Sequence, residues 1–155
     1  MSEKSHSTFN SIIFIFLCIL FCPILHAQDT LNVSNLQVME APPKIMDLAG
    51  YMHVENLTGN ILLLKSASSP IFDRIEFHYT NVTDGVAMMR RQDEVMIPAR
   101  GSITFQPGGH HLMLINARRA VREGDRIPLS FTFSDGTRLE MIADVRRVGS
   151  TSHSH

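Results

Sequence analysis

Short stretches in which apolar and polar residues alternate, separated by turn residues, recur along most of this 155-residue chain. The clearest covers residues 73–80, where Ile75, Phe77 and Tyr79 alternate with polar residues. Successive side chains on a strand point to opposite faces, so these three would face a core while His78 points outward. Many short strands spaced about 8 to 12 residues apart predict an all-β protein, a sandwich or barrel.

The other strands are predicted from the same pattern and from the turn residues between them. Prolines interrupt a sheet ladder because they lack the amide hydrogen, and Asp84-Gly85 is typical of a tight hairpin. Residues 61–64 are all Ile or Leu, so we expect this strand to be buried on both faces. At most one helical turn is predicted, over residues 118–123, because no stretch has a long apolar stripe at the helical period. The predicted strands are 31–38, 50–55, 61–64, 73–80, 86–90, 95–97, 102–105, 112–115, 127–133 and 138–145.

The N-terminal segment is predicted to be a secretion signal. Lys4 precedes an apolar run over residues 12–25, about 14 residues long, whereas a membrane-spanning helix needs ~20. We expect a signal peptide over residues 1–27 and cleavage after Ala27. The processed protein would then be periplasmic.

A lipid anchor at Cys22 is the alternative for the same segment. Phe21 stands before this cysteine, where a small residue is expected, and we therefore expect no stable membrane anchor. The remaining chain is short enough for one domain, predicted over residues 28–148. A flexible histidine-containing tail is predicted over residues 149–155.

Composition excludes several classes of site and partner. Both cysteines, Cys18 and Cys22, lie within the predicted signal peptide. The processed protein would then have no thiol, so it can form neither a disulfide nor a blue-copper centre, which needs a cysteine ligand. Acidic and basic residues nearly cancel, 15 against 14, and the basic ones are scattered. No nucleic-acid partner is expected, because it would need a basic face or stripe.

Two histidines and two methionines are the candidate metal ligands: His78, Met89, His111 and Met113. His111 and Met113 would point the same way from one strand, about 7 Å apart, and the Asp-Gly hairpin would bring Met89 back beside His78. Imidazole is borderline and thioether is soft, a combination that favours Cu(I) over Zn(II), Mg(II) or Ca(II). Each residue alone is more often a surface or packing residue, and only their combination indicates a metal site.

Neighbouring residues leave some alternatives open. Met88 would replace Met89 if the hairpin register shifts by one residue. His110 is expected on the other side of its strand, as an aromatic-like or supporting residue rather than a ligand. His153 and His155, in the tail, are candidates for a second and weaker Cu(II) site.

The spacing His78-x10-Met89-x21-His111-x-Met113 matches, at every position, the H-x10-M-x21-H-x-M signature of periplasmic copper chaperones of the PCuAC type. Those proteins deliver Cu(I) towards the Cu(A) centre of cytochrome c oxidase. The resemblance covers about residues 35–146 and implies a cupredoxin-like β-sandwich, with one Cu(I) per chain held by these four residues. It also implies a copper-accepting partner, such as cytochrome c oxidase subunit II or another copper chaperone.

Other stretches also resemble the family, and two depart from it. Gln37-Val38-Met39 replaces the usual Trp-Ala-Arg, and His53 stands where a small or β-branched residue is common. Neither departure touches the expected ligands. The further stretches that look like the family are residues 50–52, 55–56, 67–70, 84–86, 97–99, 107–109, 111–114, 123–125 and 128–129.

The sequence therefore predicts a copper chaperone that works by ligand exchange and not an enzyme. Thioethers hold Cu(I) without the avidity of thiolates, so an acceptor rich in cysteine or histidine can remove the ion. Affinity should fall below about pH 6.5, where imidazole protonates. A copper storage or resistance protein would have the same sequence features. A metal-free extracellular interaction module is the alternative from another class of function. The weakest alternative is an enzyme in which Glu76 orients His78 as a base, since no nucleophile motif accompanies them.

Overall fold

The computed structural model describes residues 30–147, and every regular element in that range is a strand. The predicted signal peptide and the predicted C-terminal tail lie outside the described residues. Between residues 30 and 147 there is no helix long and apolar enough to cross a bilayer. The strands are β1 (Leu31–Met39), β2 (Leu48–Asn56), β3 (Leu62–Ser68), β4 (Phe72–Thr83), β5 (Val86–Gln92), β6 (Val95–Ile97), β7 (Ser102–Phe105), β8 (His110–Ala117), β9 (Arg126–Phe133) and β10 (Arg138–Arg146).

The ten strands form one mixed sheet in the order β5-β4-β8-β7-β2-β1-β10-β9-β3-β6. Most neighbours are antiparallel, while β1 with β10 and β7 with β8 are parallel pairs. Strand β8 also pairs with β2, so it is bonded to β4 on one side and to β2 and β7 on the other. The predicted all-β, cupredoxin-like single domain is confirmed, and each predicted strand has a counterpart.

One hydrophobic core joins strands from both ends of this order. Leu112 and Leu114 of β8 are fully buried, and they belong to the same cluster as Phe131 of β9 and Ile97 of β6. Because distant strands share this core, the sheet curls over on itself into a sandwich. Burying one such side chain contributes roughly 1.5–3 kcal/mol, so a slip of β8 by one residue, which would turn both leucines outward, is strongly disfavoured.

Gly50 brings β2 close to the core side of β8. A Cβ atom at this position would lie 3.0 Å from Leu114 Cδ1 and 3.2 Å from Leu112 Cβ, which is closer than normal packing allows. Any larger residue at position 50 would therefore need the two leucine side chains to shift by a few tenths of an ångström.

The prediction that residues 61–64 are buried on both faces is wrong. Ile61 is 58% exposed and precedes the strand. Leu62 and Leu64 face the core, while Leu63 between them is only half-buried. Over Leu62–Leu64 the strand therefore alternates, because it presents one face to the core and the other to the outside.

Tyr79 also departs from the prediction of a core residue, since 39% of it is exposed. It lies on the same side of β4 as Phe77, but beyond the edge of the core. Its ring packs instead against the imidazole of His110, with ring centroids 4.6 Å apart. Strand β4 is long enough to extend past the core, and sequence alternation alone does not show where the core ends.

The helical turn predicted over residues 118–123 does not form. Asp125 Oδ2 accepts hydrogen bonds from the backbone N–H of Arg122 and from the guanidinium of Arg119. Gly124, with φ +87°, then turns the chain into β9. The bond from the Arg122 N–H to the Asp125 side chain gives the segment a local alternative to helix.

Candidate metal centre

The centre of the candidate site is a cross-strand histidine pair. His78 on β4 lies directly opposite His111 on β8 in the antiparallel register. Their ring centroids are 5.7 Å apart. The next pair along the ladder, Phe77 and Leu112, is buried in the core. Since neighbouring pairs alternate between faces, the two imidazoles stand together on the outer face of the sheet.

The two methionines share this outer face. Met113 lies two residues beyond His111 and opposite Glu76, while Met89 on β5 lies opposite Thr80. Each methionine is thus one diagonal step, about 7–8 Å between backbones, from the histidine pair. Strands β5, β4 and β8 therefore bring all four candidate ligands to one face.

The hairpin register decides between Met89 and Met88. Asp84 and Gly85 both have positive φ, 53° and 78°, as a two-residue type I′ turn requires. This turn pairs Thr80 with Met89 and Asn81 with Met88. Met88 consequently points to the opposite face of the hairpin from the histidine pair.

His78 has one nitrogen anchored and one left without a partner. Its Nε2–H donates to Glu76 Oε2 at 2.9 Å, and its Nδ1 is buried with no hydrogen-bond partner. Buried polar atoms are nearly always paired, so an orphaned imidazole nitrogen needs an explanation. A metal ion coordinated by Nδ1 would supply the missing partner.

His111 shows the same arrangement with the nitrogens exchanged. Its Nδ1–H donates to the backbone carbonyl of Gly109 at 3.0 Å. Gly108, with φ +76°, forms the turn that aims this carbonyl back at the ring. Nε2 of His111 is then the nitrogen with a free lone pair, because a neutral imidazole carries only one proton.

Glu76 is held in place by His78 and by two arginines. Besides His78, its carboxylate accepts a hydrogen bond from Arg74 Nε at 2.9 Å and lies 3.5 Å from a terminal nitrogen of Arg91. The hydrogen bond from His78 lowers the pKa of Glu76, and the bond from Arg74 lowers it further. The carboxylate therefore stays ionised at neutral pH.

His110 lies on the face away from the candidate ligands, as the sequence predicted. Its ring packs on Tyr79 and lies 5.9 Å from the ring of Phe105, between centroids. Its Nδ1 is hydrogen-bonded to Gln92 Oε1 at 2.8 Å. Burial lowers the pKa of His110, and the neighbouring His111 lowers it further, so the residue is neutral at physiological pH. It serves as a packed aromatic residue beside the pair.

The candidate ligands differ greatly in exposure. His111 is only 6% exposed, and 15% of the His78 side chain is exposed. Met89 is 56% exposed, because β5 lies at the edge of the sheet. The centre thus has a protected side on β4 and β8 and an open side on the hairpin.

The donor chemistry favours a soft ion. Among residues 30–147 no three His, Cys, Asp or Glu side chains are grouped so as to hold a metal. The arrangement described above instead offers two imidazoles with two thioethers, which suits Cu(I) better than Zn(II) or Mg(II). The sequence pairs Glu76 with His78 only in the enzyme alternative, where Glu76 orients a base, and it does not indicate the Gly109 carbonyl as the anchor of His111. The Glu76-x-His78 spacing on one strand face was the sign of the first contact.

The sheet has the same fold as PCuAC domains of known structure. The structure superimposes on the copper-bound PCuAC domain from PmoF2 with a TM-score of 0.66 and 19% identity, covering 76% of this chain and 93% of that domain. It superimposes on the solution structure of CuI-DR1885 from Deinococcus radiodurans with a TM-score of 0.57 and 28% identity, covering 75% and 76% of the two chains.

The chain belongs to the LpqE-like family. The model of that family, described as "Putative lipoprotein LpqE-like", matches residues 31–145. A relative in Leifsonia xyli, named "Putative lipoprotein Lxx21020", is 25% identical over 119 residues, which cover 76% of this chain and 70% of the relative. Protein RP573 of Rickettsia prowazekii is 29% identical over 112 residues, which cover 72% of this chain but only 58% of that protein.

Proposed function

We propose that this protein is a Cu(I) chaperone that binds one ion through His78, Met89, His111 and Met113. The observation that carries the proposal is the paired anchoring of the histidines. Each ring has one nitrogen fixed by a hydrogen bond, and the His78 nitrogen that remains is buried without a partner. Such second-sphere hydrogen bonds are typical of metal-ligating histidines.

The structural relatives support the choice of metal. The PmoF2 domain is described as copper-bound and the Deinococcus radiodurans protein as its Cu(I) form. The ligand chemistry points the same way, because thioethers are soft and neutral. Together these observations favour Cu(I) over a harder divalent ion.

The proposed mechanism is ligand exchange without turnover. The buried histidines and Met113 hold the ion, and the exposed Met89 is the ligand that an acceptor side chain displaces first. No proton has to leave a thiol, because all four ligands are neutral. The recipient would be a copper-accepting protein, either the Cu(A)-bearing subunit II of cytochrome c oxidase or another chaperone.

The proposed location is the cell envelope. The secretion signal predicted for residues 1–27 supports it, as does the lipoprotein description of the family and of the Leifsonia xyli relative. Cleavage after Ala27 and acylation at Cys22 give different mature N-termini, which the mass of the processed protein distinguishes. His153 and His155 would supply a second, weaker Cu(II) site in either form.

The test is a Cu(I) titration of the processed protein against a competing chelator. We expect one tightly bound Cu(I) per chain and its loss in His111→Ala and in Met113→Ala. His53→Ala and Met96→Ala are the matched controls, because His53 is bonded to Thr104 and Met96 is an exposed residue of β6. Absence of Cu(I) binding by the wild-type protein, or equal loss in the controls, would contradict the proposal.

A further inference from the structure

Glu76 occupies an unusual position for a carboxylate beside a candidate Cu(I) site. It lies on the outer face of β4, two residues before His78 and directly opposite Met113. Only 12% of its side chain is exposed. A carboxylate oxygen is a hard ligand that favours ions such as Mg(II), Ca(II) or Mn(II), so an unrestrained glutamate here would oppose selection of a soft ion.

Both oxygens of Glu76 are already engaged. Oε2 accepts the hydrogen bond from His78, while Oε1 accepts the bond from Arg74 and faces Arg91. An ionised carboxylate bonded to a guanidinium is in a strong, charge-assisted contact. These contacts satisfy the carboxylate without a metal and hold it beside the imidazole.

The bond to Glu76 determines which nitrogen of His78 carries the proton. Nε2 must be protonated to donate, so Nδ1 has the lone pair in the neutral ring. For His111 the backbone carbonyl of Gly109 fixes the opposite tautomer. The two histidines, although directly paired across the strands, therefore present different nitrogens.

We propose that Glu76 is a positioning residue that makes His78 bind Cu(I) through Nδ1, while His111 binds through Nε2. Arg74 and Arg91 keep the same carboxylate from becoming a ligand itself. The inference rests on the proposed function. It adds that the two histidines coordinate through different nitrogens and that the restrained carboxylate helps the site to select Cu(I). It predicts that removal of Glu76 weakens the site without removing any ligand.

The first test identifies the coordinating nitrogens directly. Cu(I) is diamagnetic, so long-range proton–nitrogen NMR of the processed protein, labelled with 15N-histidine and loaded with Cu(I), reports which ring nitrogen is protonated. We expect a protonated Nε2 for His78 and a protonated Nδ1 for His111. A protonated Nδ1 on His78 in the loaded wild-type protein would overturn the inference while leaving Cu(I) binding intact.

The second test compares variants of Glu76 in the Cu(I) titration. Loss of a residue that orients a metal ligand costs about 10- to 100-fold in affinity, and we expect a loss in this range for Glu76→Ala. Glu76→Gln keeps an acceptor oxygen, so it should lose less and keep the Nε2-protonated form of His78. Glu55→Ala, which removes a carboxylate from the outer face of β2, is the control.

The outcomes separate the two proposals. Failure of the wild-type protein to bind Cu(I) contradicts the proposed function itself. Wild-type binding that is equally tight in Glu76→Ala, with the His78 nitrogen pattern unchanged, overturns the positioning role alone. Far-UV circular dichroism of each variant shows whether the sheet persists, and the nitrogen assignment in the wild-type protein needs no variant.

Discussion

The β4–β8 ladder and the β4–β5 hairpin share one strand, yet they differ in almost every property that matters to a metal. The β4–β8 ladder sets His78 and His111 over fully buried leucines, and hydrogen bonds fix both rings. The hairpin carries Met89 on an edge strand, and Val82, Val86 and Met88 beside it are also exposed. The first region is suited to hold an ion in a defined geometry, and the second is suited to let a partner reach it.

The largest expected difference between the two regions is in stability. Leu112→Ala removes a fully buried side chain behind His111 and should lower the free energy of unfolding by about 2–5 kcal/mol. Val86→Ala, at a residue 61% exposed on the hairpin, should change it by no more than about 0.5 kcal/mol. Urea denaturation of both variants measures the contrast, and equal losses would mean that the hairpin is part of the cooperative core.

A smaller difference is expected in copper affinity. Replacing the buried His111 by Ala should abolish tight Cu(I) binding, whereas Met89→Ala should weaken it on the order of tenfold, about 1.4 kcal/mol. Met88→Ala is the matched control, because this neighbouring methionine points to the other face. Titration of the three variants with Cu(I) against a competing chelator shows whether their losses of affinity follow this order. A loss in Met88→Ala equal to that in Met89→Ala would show that the register of the hairpin is not the one described.

The smallest expected effect is on the pH dependence of stability. The pKa of Glu76 is lowered in the folded protein by its bonds to His78 and Arg74. Its contribution to stability is therefore fully present above the ordinary glutamate pKa of about 4.3 and is lost as pH falls through the lower folded value. Urea denaturation between pH 3 and 6 should show a flatter profile for Glu76→Gln than for the wild-type protein. Parallel profiles would contradict the role of these bonds in the metal-free protein.

Much of the fold follows from local patterns in the sequence. Alternation and turn residues predict each strand, and Asp84-Gly85 predicts the hairpin but leaves Met88 and Met89 as alternatives. The observed register places Met89 opposite Thr80. The wrong predictions concern residues whose burial depends on the surrounding strands and not on the local pattern. Tyr79 occupies a core position in the alternating pattern, but its exposure depends on how far β4 extends past the core. Ile61 belongs to an all-apolar stretch that resembles a buried strand, but it lies before the strand begins.

In the candidate site, too, some features could be predicted from the sequence and others could not. Strand periodicity and the ligand spacing predict that His78, His111 and Met113 share one face, and the pairing of β4 with β8 agrees. The bond from His78 to Glu76 is a matter of side-chain rotamer, and the bond from His111 to the Gly109 carbonyl depends on a positive φ at Gly108. Residue spacing puts Glu76 and His78 on one face of β4 but shows neither hydrogen bond, and the two bonds determine which ring nitrogens are available.

The exposure of Met89 also has a kinetic consequence. In the proposed mechanism, an acceptor that displaces this one thioether can form its first bond to the ion before the buried ligands release theirs, so the ion need never be hydrated during transfer. Dissociation into water, by contrast, requires the better-protected histidines to open as well. In the proposed mechanism the rate of handover therefore depends mainly on β5, whereas most of the equilibrium affinity comes from the ligands on β4 and β8.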